Sequence, residues 1–311
     1  MGWPPSAAAG QGLTVTGRIL YGGAEGRPVA RQWVVLHHVT RDSAGPVDST
    51  RTDAAGAYRL RAVQADTAAV YYVSTLFAGV AYFSTPLEAG AGPTVAPAPL
   101  VVYDTATTGP PIRLQRRLLA IHPPGEDGTR EVLELLEIVN PGAATRIAAD
   151  TIQPVWRFLV PTGAIQFAVG EGDVSPEAVR RVGDTVAVFA PLPPNELKQF
   201  SIGYLLPADV RAFTIPVDQR VGELNLLLAD TASRVTGVPL DTLGVQDLEP
   251  GVFAAYRTDS LDAGAAPLIT FPRRGRAMQL VVIAIVALVA AALFAGLLVA
   301  LRRPPPTPSA A

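Results

Sequence analysis

The sequence predicts an all-β chain: two tandem β-sandwich domains followed by one C-terminal transmembrane α-helix. Three observations lead there. Across residues 12–272, short apolar runs recur between Gly, Pro, Asp and Asn, and helical periodicity is weak. From Leu280 to Leu301 no charged or hydrogen-bonding side chain occurs. The chain also has a mean hydropathy of +0.29 with 17% charged residues, fewer than the roughly one quarter usual in soluble domains. The apolar surplus is therefore concentrated in that one run. A length of 311 residues suits two domains of roughly 100–200 residues each.

Residues 1–11 come first. They lack the basic start and long apolar stretch of a secretory signal, yet Pro4-Pro5 before Ser6-Ala7-Ala8-Ala9 resembles the end of one. They are read as a disordered arm or the remnant of such a signal. The first domain is placed at 12–104. Its first strand is Leu13–Leu20, in which Leu13, Val15, Gly17 and Ile19 alternate with polar positions. Gln32–Val39 follows, then a hairpin across Asp53–Gly56. Val70–Phe77 and Val80–Ser84 pair through Ala78-Gly79, Leu87–Pro99 is a loop of small residues, and Leu100–Asp104 closes the domain.

The second domain is placed at 105–272. Strands are expected at Ile112–His122, Glu131–Val139, Val155–Val160, Thr185–Phe189, Phe200–Leu206, Ala212–Val217, Leu224–Leu228 and Val252–Tyr256. Glu131, Glu134 and Glu137 fall three apart, a spacing that also fits a helical turn. Asn140-Pro141-Gly142 forces a turn. Ser175–Arg181 reads as a short helix, with Ser175 as N-cap and Pro176 at the first helical position.

The membrane helix is placed at 277–302. At about 1.5 Å rise per residue the apolar run reaches roughly 33 Å, enough for a hydrocarbon core of about 30 Å. Ala287, Ala291 and Ala295 align at four-residue spacing, as do Ala292, Gly296 and Ala300, giving small-residue ridges for close helix packing in lipid. No ionisable residue interrupts the run, which argues against ion transport or proton relay. Residues 303–311 are a proline-rich tail, expected to be disordered.

Composition excludes several chemistries. Cysteine is absent, so there is no disulfide framework, thiolate metal site or cysteine nucleophile. Three histidines, two of them adjacent, are too few for a multi-histidine centre. His37 and His38 are consecutive on a strand, face opposite sides and cannot share one metal. His122 precedes Pro123-Pro124 and Glu126-Asp127 in a solvated turn. Neither GxSxG nor a phosphate-cradling glycine motif is present, and Val169-Gly170-Glu171-Gly172-Asp173 lacks the ligand spacing of a calcium loop. The five arginines of residues 273–311 leave 20 basic and 27 acidic side chains ahead of them, a net of −7 with no basic stripe. Nucleic acid is not an expected partner.

Val15-x-Gly17-x-Ile19, Arg27-Pro28-Val29, Val34-Val35-Leu36 and Thr52-Asp53-x-x-Gly56-x-Tyr58-x-Leu60 together resemble the carboxypeptidase regulatory-like domain. The resemblance covers residues 12–104 and implies a transthyretin-like, Ig-like β-sandwich of bacterial envelope proteins, a non-catalytic module without peptidase activity. In physical terms, Asp53 caps the turn, Gly56 supplies a positive φ, and Tyr58 and Leu60 share one face of the returning strand.

Tyr71, Tyr72, Phe77, Tyr82 and Phe83 put large apolar groups on both faces of one hairpin. One face meets the sandwich core; the other meets the second domain, a ligand or a partner. The expectation is a non-enzymatic single-pass protein of the bacterial inner membrane with a periplasmic ectodomain and a short cytoplasmic tail. It would need no cofactor and would scaffold other membrane proteins, as an accessory subunit of a larger complex. A module recognising glycan or peptide in the envelope is the alternative.

Overall fold

The computed structural model describes residues 12–23, 26–248 and 251–272. These residues form an all-β structure whose buried apolar side chains fall into two clusters, one within residues 13–102 and one within 112–271.

The N-terminal region comprises β1 (Leu13–Tyr21), β2 (Trp33–Val39), β3 (Ala44–Arg51), β4 (Ala57–Ala62), β5 (Val70–Phe77), β6 (Val80–Phe83), β7 (Leu87–Glu88), β8 (Thr94–Val95) and β9 (Leu100–Val102). One sheet has the order β4-β1-β8, with β9 running parallel to the later half of β1. The other has the order β3-β2-β5-β6, with β7 also on β5. Alternation buries Leu13, Val15 and Ile19 from β1 against Leu36 and Val73 of the opposite sheet.

The turn at Asp53–Gly56 differs from the expected hairpin. β3 and β4 lie in different sheets, so the turn carries the chain from one layer to the other. The amide of Ile19 donates to the Gly56 carbonyl at 2.9 Å and pins the turn to β1. Asp53 Oδ1 accepts from the amides of Ala55 and Ala57, and Gly56 sits at φ +70°, where a Cβ would come within 2.6 Å of the Ile19 carbonyl oxygen. Two further departures lie nearby. β3 occupies a stretch without apolar alternation, and β7 and β8 break the expected loop Leu87–Pro99.

The C-terminal region begins with β10 (Thr105–Ala106), β11 (Arg113–Pro124), β12 (Arg130–Val139), β13 (Thr145–Arg146), β14 (Trp156–Leu159), β15 (Ile165–Gly172), β16 (Val179–Val182) and β17 (Thr185–Val188). It continues with β18 (Leu197–Leu206), β19 (Ala212–Thr214), β20 (Val221–Leu228), β21 (Arg234–Thr236), β22 (Asp241–Leu248), β23 (Gly251–Thr258) and β24 (Leu268–Thr270). A seven-stranded sheet has the order β15-β18-β12-β11-β20-β23-β22, antiparallel except where β11 and β20 run parallel. The sheets β14-β17-β16 and β19-β24-β21 contribute Phe158, Val186 and Ile269 to the same core.

The helix expected at Ser175–Arg181 is replaced by a single 3-10 turn, Pro176–Ala178, followed directly by β16. Ser175 makes no capping bond to the backbone. Pairing of Val179–Val182 with β17 satisfies more backbone groups than a seven-residue helix could. The acids of β12 are on a strand, so their spacing of three puts them on alternate faces: Glu131 is exposed while Glu134 is buried. Strand structure expected through Val217 stops at Thr214, and β10, β13, β15, β16, β21, β22 and β24 fall outside the expected strands.

Glu134 is buried opposite Arg117. Arg117 Nε donates to Glu134 Oε2 at 2.7 Å, and Tyr204 Oη donates to Glu134 Oε1 at 2.6 Å. Arg117 also reaches the carbonyl oxygens of Pro216 and Leu159. Burial pushes the Tyr204 phenol well above its ordinary range, with Glu134 adding to it.

Among the described residues no helix is long and apolar enough to cross a membrane. Residues 1–11, the expected helix at 277–302 with Ala287, Ala291, Ala295, Ala292, Gly296 and Ala300, and the tail 303–311 lie outside the described residues.

Candidate functional site

The outward face of the sheet β3-β2-β5-β6 carries an unusual number of apolar side chains. The register sets Val35 opposite Ser74, His37 opposite Tyr72 and Val39 opposite Val70, with Phe83 beside Ser74 and Ala81 beside Leu76. Trp33 is 52% exposed, Leu76 66% and Phe83 61%. None of these positions holds a carboxylate. Arg51 pairs with Trp33 across the ladder, its guanidinium 4.7 Å from the ring centroid.

Two clefts meet on this face. One, of about 340 Å³, is bordered by His37, His38, Val39, Gly45, Tyr72 and Phe83. The second, of about 460 Å³, runs between the two regions, from Tyr82, Phe83 and Val101 to Pro193, Pro194 and Lys198. Phe83 and Ser84 line both.

The aromatic cluster divides as strand parity requires. Tyr71 and Tyr82 point inward and are buried; Tyr72 and Phe83 point outward. Phe77 is half-buried, with its ring edge-on to Tyr21 at 6.3 Å. Contact with the C-terminal region comes from the inward-facing member: Tyr82 Oη is 2.7 Å from Thr145 Oγ1 and donates to the Tyr103 carbonyl at 3.2 Å. There β10 and β13 pair in parallel. Burial, aided by Glu196 and Tyr82, raises the Tyr103 phenol, so it stays neutral beside the second cleft. Glu196 and Lys198 pair with each other at 2.6 Å, leaving the rim of that cleft without net charge from them.

His37 and His38 lie opposite Tyr72 and Tyr71 in an unbroken β2–β5 ladder, so they alternate as the sequence predicts, yet both border the first cleft. His37 Nε2 lies 2.8 Å from Ser74 Oγ, and His38 Nδ1 lies 3.2 Å from the Gly45 carbonyl oxygen. His37 has no hydrogen-bonded carboxylate, so the third group of a nucleophile–base–orienter set is missing there. His122 packs edge-on to Phe253 at 6.0 Å. Asp173, after the glycine-rich run, accepts from the Gln199 amide. Among the described residues no group of three or more His, Asp or Glu side chains is placed to hold a metal ion.

Sequence reasoning found Tyr72 and Phe83 but missed Trp33, Leu76 and His37 as their neighbours. Parity along β5 would have added Leu76; the placement of Trp33 depends on register.

No family model and no curated protein matches the chain. Solved structures with local likeness carry different descriptions. A 9R-lipoxygenase from Cyanothece is 12% identical over 33% of this chain and 19% of its own, with a TM-score of 0.23. An M1 zinc metallopeptidase from Deinococcus radiodurans is 12% identical over 52% and 42%, with a TM-score of 0.32. A putative nutrient binding protein from Legionella pneumophila is 13% identical over 54% and 70%, with a TM-score of 0.25. The chain spans less than half the length of the first two, and scores this low carry no argument about fold or activity.

Proposed function

We propose that the chain is a non-enzymatic, single-pass membrane protein whose β-sandwich domains bind other membrane proteins as an accessory subunit. The observation carrying this reading is the exposed, carboxylate-free face built from Trp33, Tyr72, Leu76 and Phe83. A soluble monomer rarely leaves so contiguous an apolar surface to water unless it serves an interaction. Aromatic anchors on a rigid sheet suit a protein interface, where rings provide much of the contact energy. In this reading the N-terminal region is a transthyretin-like, carboxypeptidase regulatory-like module, supported by the Asp53/Gly56/Tyr58 motif and by two sheets facing across one core. The run Leu280–Leu301 anchors the chain in the cytoplasmic membrane, with residues 12–272 outside and the tail inside; its length and lack of charge support this.

Purification of the full chain from native membranes in mild detergent tests the proposal. The expected result is stoichiometric co-purification of membrane proteins that is lost in a Leu76→Ser, Phe83→Ser double variant whose melting temperature is unchanged. Retention of the same partners by the variant, or a partner-free chain that binds glycans on an array, would overturn it. Protease added to spheroplasts should cut within residues 12–272; protection of that region would reverse the orientation.

A further inference from the structure

The edges of the N-terminal sandwich are not equally closed. On one side β3 carries Pro46 and a register shift before His37, and Asp48 Oδ2 takes the outward amide of Arg61 on β4 at 2.7 Å. Both features blunt those edges. On the other side β7 and β8 are only two residues long. β6 remains, regular along its whole register with β5. Its turn, Ala78-Gly79, has φ +47° and +81°, and such two-residue turns close on a hydrogen-bonded pair, here Phe77 with Val80. The Ser84 amide keeps the same phase by donating to the Val73 carbonyl at 2.8 Å. Val80 and Tyr82 therefore bond to β5, and Ala81 and Phe83 direct their N–H and C=O groups away from it into the second cleft, which both line. Val101 of β9 lines the same cleft. The Gly22 amide donates to the Val102 carbonyl at 2.8 Å, so in the parallel ladder Leu100 and Val102 bond to β1 and the backbone groups of Val101 point away. Among the described residues no hydrogen bond outside the ladders reaches Ala81, Phe83 or Val101.

We infer that the second cleft takes an extended, uncharged peptide segment of the partner protein, added as one more strand beside β6. Unpaired main-chain groups converge on the cleft from two strand edges, and another main chain is the chemistry that satisfies donors and acceptors in that alternation. The remaining wall cannot supply it, because Pro99, Pro193 and Pro194 have no N–H to give. Glu196 and Lys198 neutralise each other at 2.6 Å and the rest of the lining is uncharged, so a charged side chain on the segment would find no counter-ion there. Phe83 belongs both to this cleft and to the exposed apolar face, which makes the edge continuous with the surface of the proposed function. The inference rests on that reading and adds how the partner is held.

Amide exchange of the full chain in mild detergent tests it, with the peptide acetyl-Val-Thr-Val-Thr-Val-amide as the probe, a composition that favours an extended strand. Excess probe should slow exchange across residues 80–84 roughly tenfold, whereas the same peptide N-methylated at alternate residues, which lacks the pairing donors, should leave it unchanged. Ala81→Pro removes an N–H that takes no part in the β5 ladder, so the melting temperature should hold while the slowing disappears. Unchanged exchange with the probe, or equal slowing by the N-methylated peptide or in the Ala81→Pro variant, would overturn the inference. Membrane proteins that co-purify with the chain should be lost in Ala81→Pro. Their loss in the Leu76→Ser, Phe83→Ser variant but retention by Ala81→Pro would sink the added strand and leave the proposed function standing. If no protein co-purified, the proposed function would fall, and the probe would still decide the edge.

Discussion

Both regions bury aromatic side chains, but the N-terminal region also places large rings on the outside of one sheet. In the C-terminal region Trp156, Phe158 and Phe200 pack together inside, with Trp156 stacked 5.0 Å from Phe158 and edge-on to Phe200 at 6.3 Å. The outside of that sheet carries alternating charges, Glu137–Arg116–Glu223–Arg257–Asp259, each joined to the next within 3.1 Å. In the N-terminal region Trp33, Tyr72 and Phe83 line the outside of one sheet, and among the described residues its core holds no ion pair. One region therefore has a polar network inside and a charged sheet surface; the other has an almost wholly apolar centre and one sheet whose outer face is apolar, while its β4-β1 sheet exposes Arg18, Arg59 and Arg61. The same chain can make a charged sheet surface, so the uncharged one is a local property of β2, β5 and β6.

The contrast can be broken most severely at Glu134. Glu134→Ala leaves Arg117 buried without its partner and should cost about 3–5 kcal/mol, read as a fall in the denaturant midpoint. Replacing both members by apolar residues, Arg117→Met with Glu134→Leu, should restore most of that stability. A loss equal to the single variant's would show that the pair does more than satisfy itself.

In the N-terminal region the largest effect is expected at the turn between sheets. Gly56→Ala forces a Cβ against the Ile19 carbonyl at positive φ and should cost about 1–3 kcal/mol, with the loss confined to amide-exchange protection in β1 and β4.

Tyr58 provides a smaller test with the opposite sign. Its hydroxyl is buried without a partner, so Tyr58→Phe should stabilise by about 1 kcal/mol, measured as a raised midpoint. Burial pushes the Tyr58 phenol up to about 12 from 10.0. The unfolded chain releases this proton first, so the contribution is intact below pH 10 and is lost as pH climbs from 10 toward 12. Tyr58→Phe should flatten that decline in a stability–pH profile, leaving the part due to the other raised phenols, Tyr204 and Tyr103 among them.

The smallest effect sharpens the comparison most. Leu76→Ser or Phe83→Ser should change stability by no more than about 0.5 kcal/mol by thermal melting, whereas Phe200→Ser should unfold the C-terminal region. Equal losses in both regions would mean that the outward face is structural.

These outcomes bear on what the sequence could reveal. Strands buried on one face, such as β1 and β5, showed themselves through alternation because Leu13, Val15, Tyr71 and Val73 must be inside. β3 and β22 gave no such signal, since Ala44–Arg51 and Asp241–Leu248 bury almost nothing; their pairing is a backbone matter that side chains do not announce. Ser175-Pro176 is a sound local start for a helix, overridden by the ladder that Val179–Val182 makes with β17. For the candidate site, parity assigned Tyr72 and Phe83 to one face. The second cleft needs Pro193–Lys198, about 110 residues from Phe83 in sequence, and no local pattern encodes that approach.

The parallel contact of β1 with β9 also bears on the order of events during synthesis. Leu13–Tyr21 emerges early, but part of its edge is covered only when Leu100–Val102 arrives. The next region repeats the delay, since β11 waits for β20 about a hundred residues later. Each region is thus closed by its own late strand, a topology of distant pairings that folds slowly. A nascent chain halted before Leu100 would expose β1, and one halted before Val221 would expose β11. Such intermediates would need a chaperone during the pause.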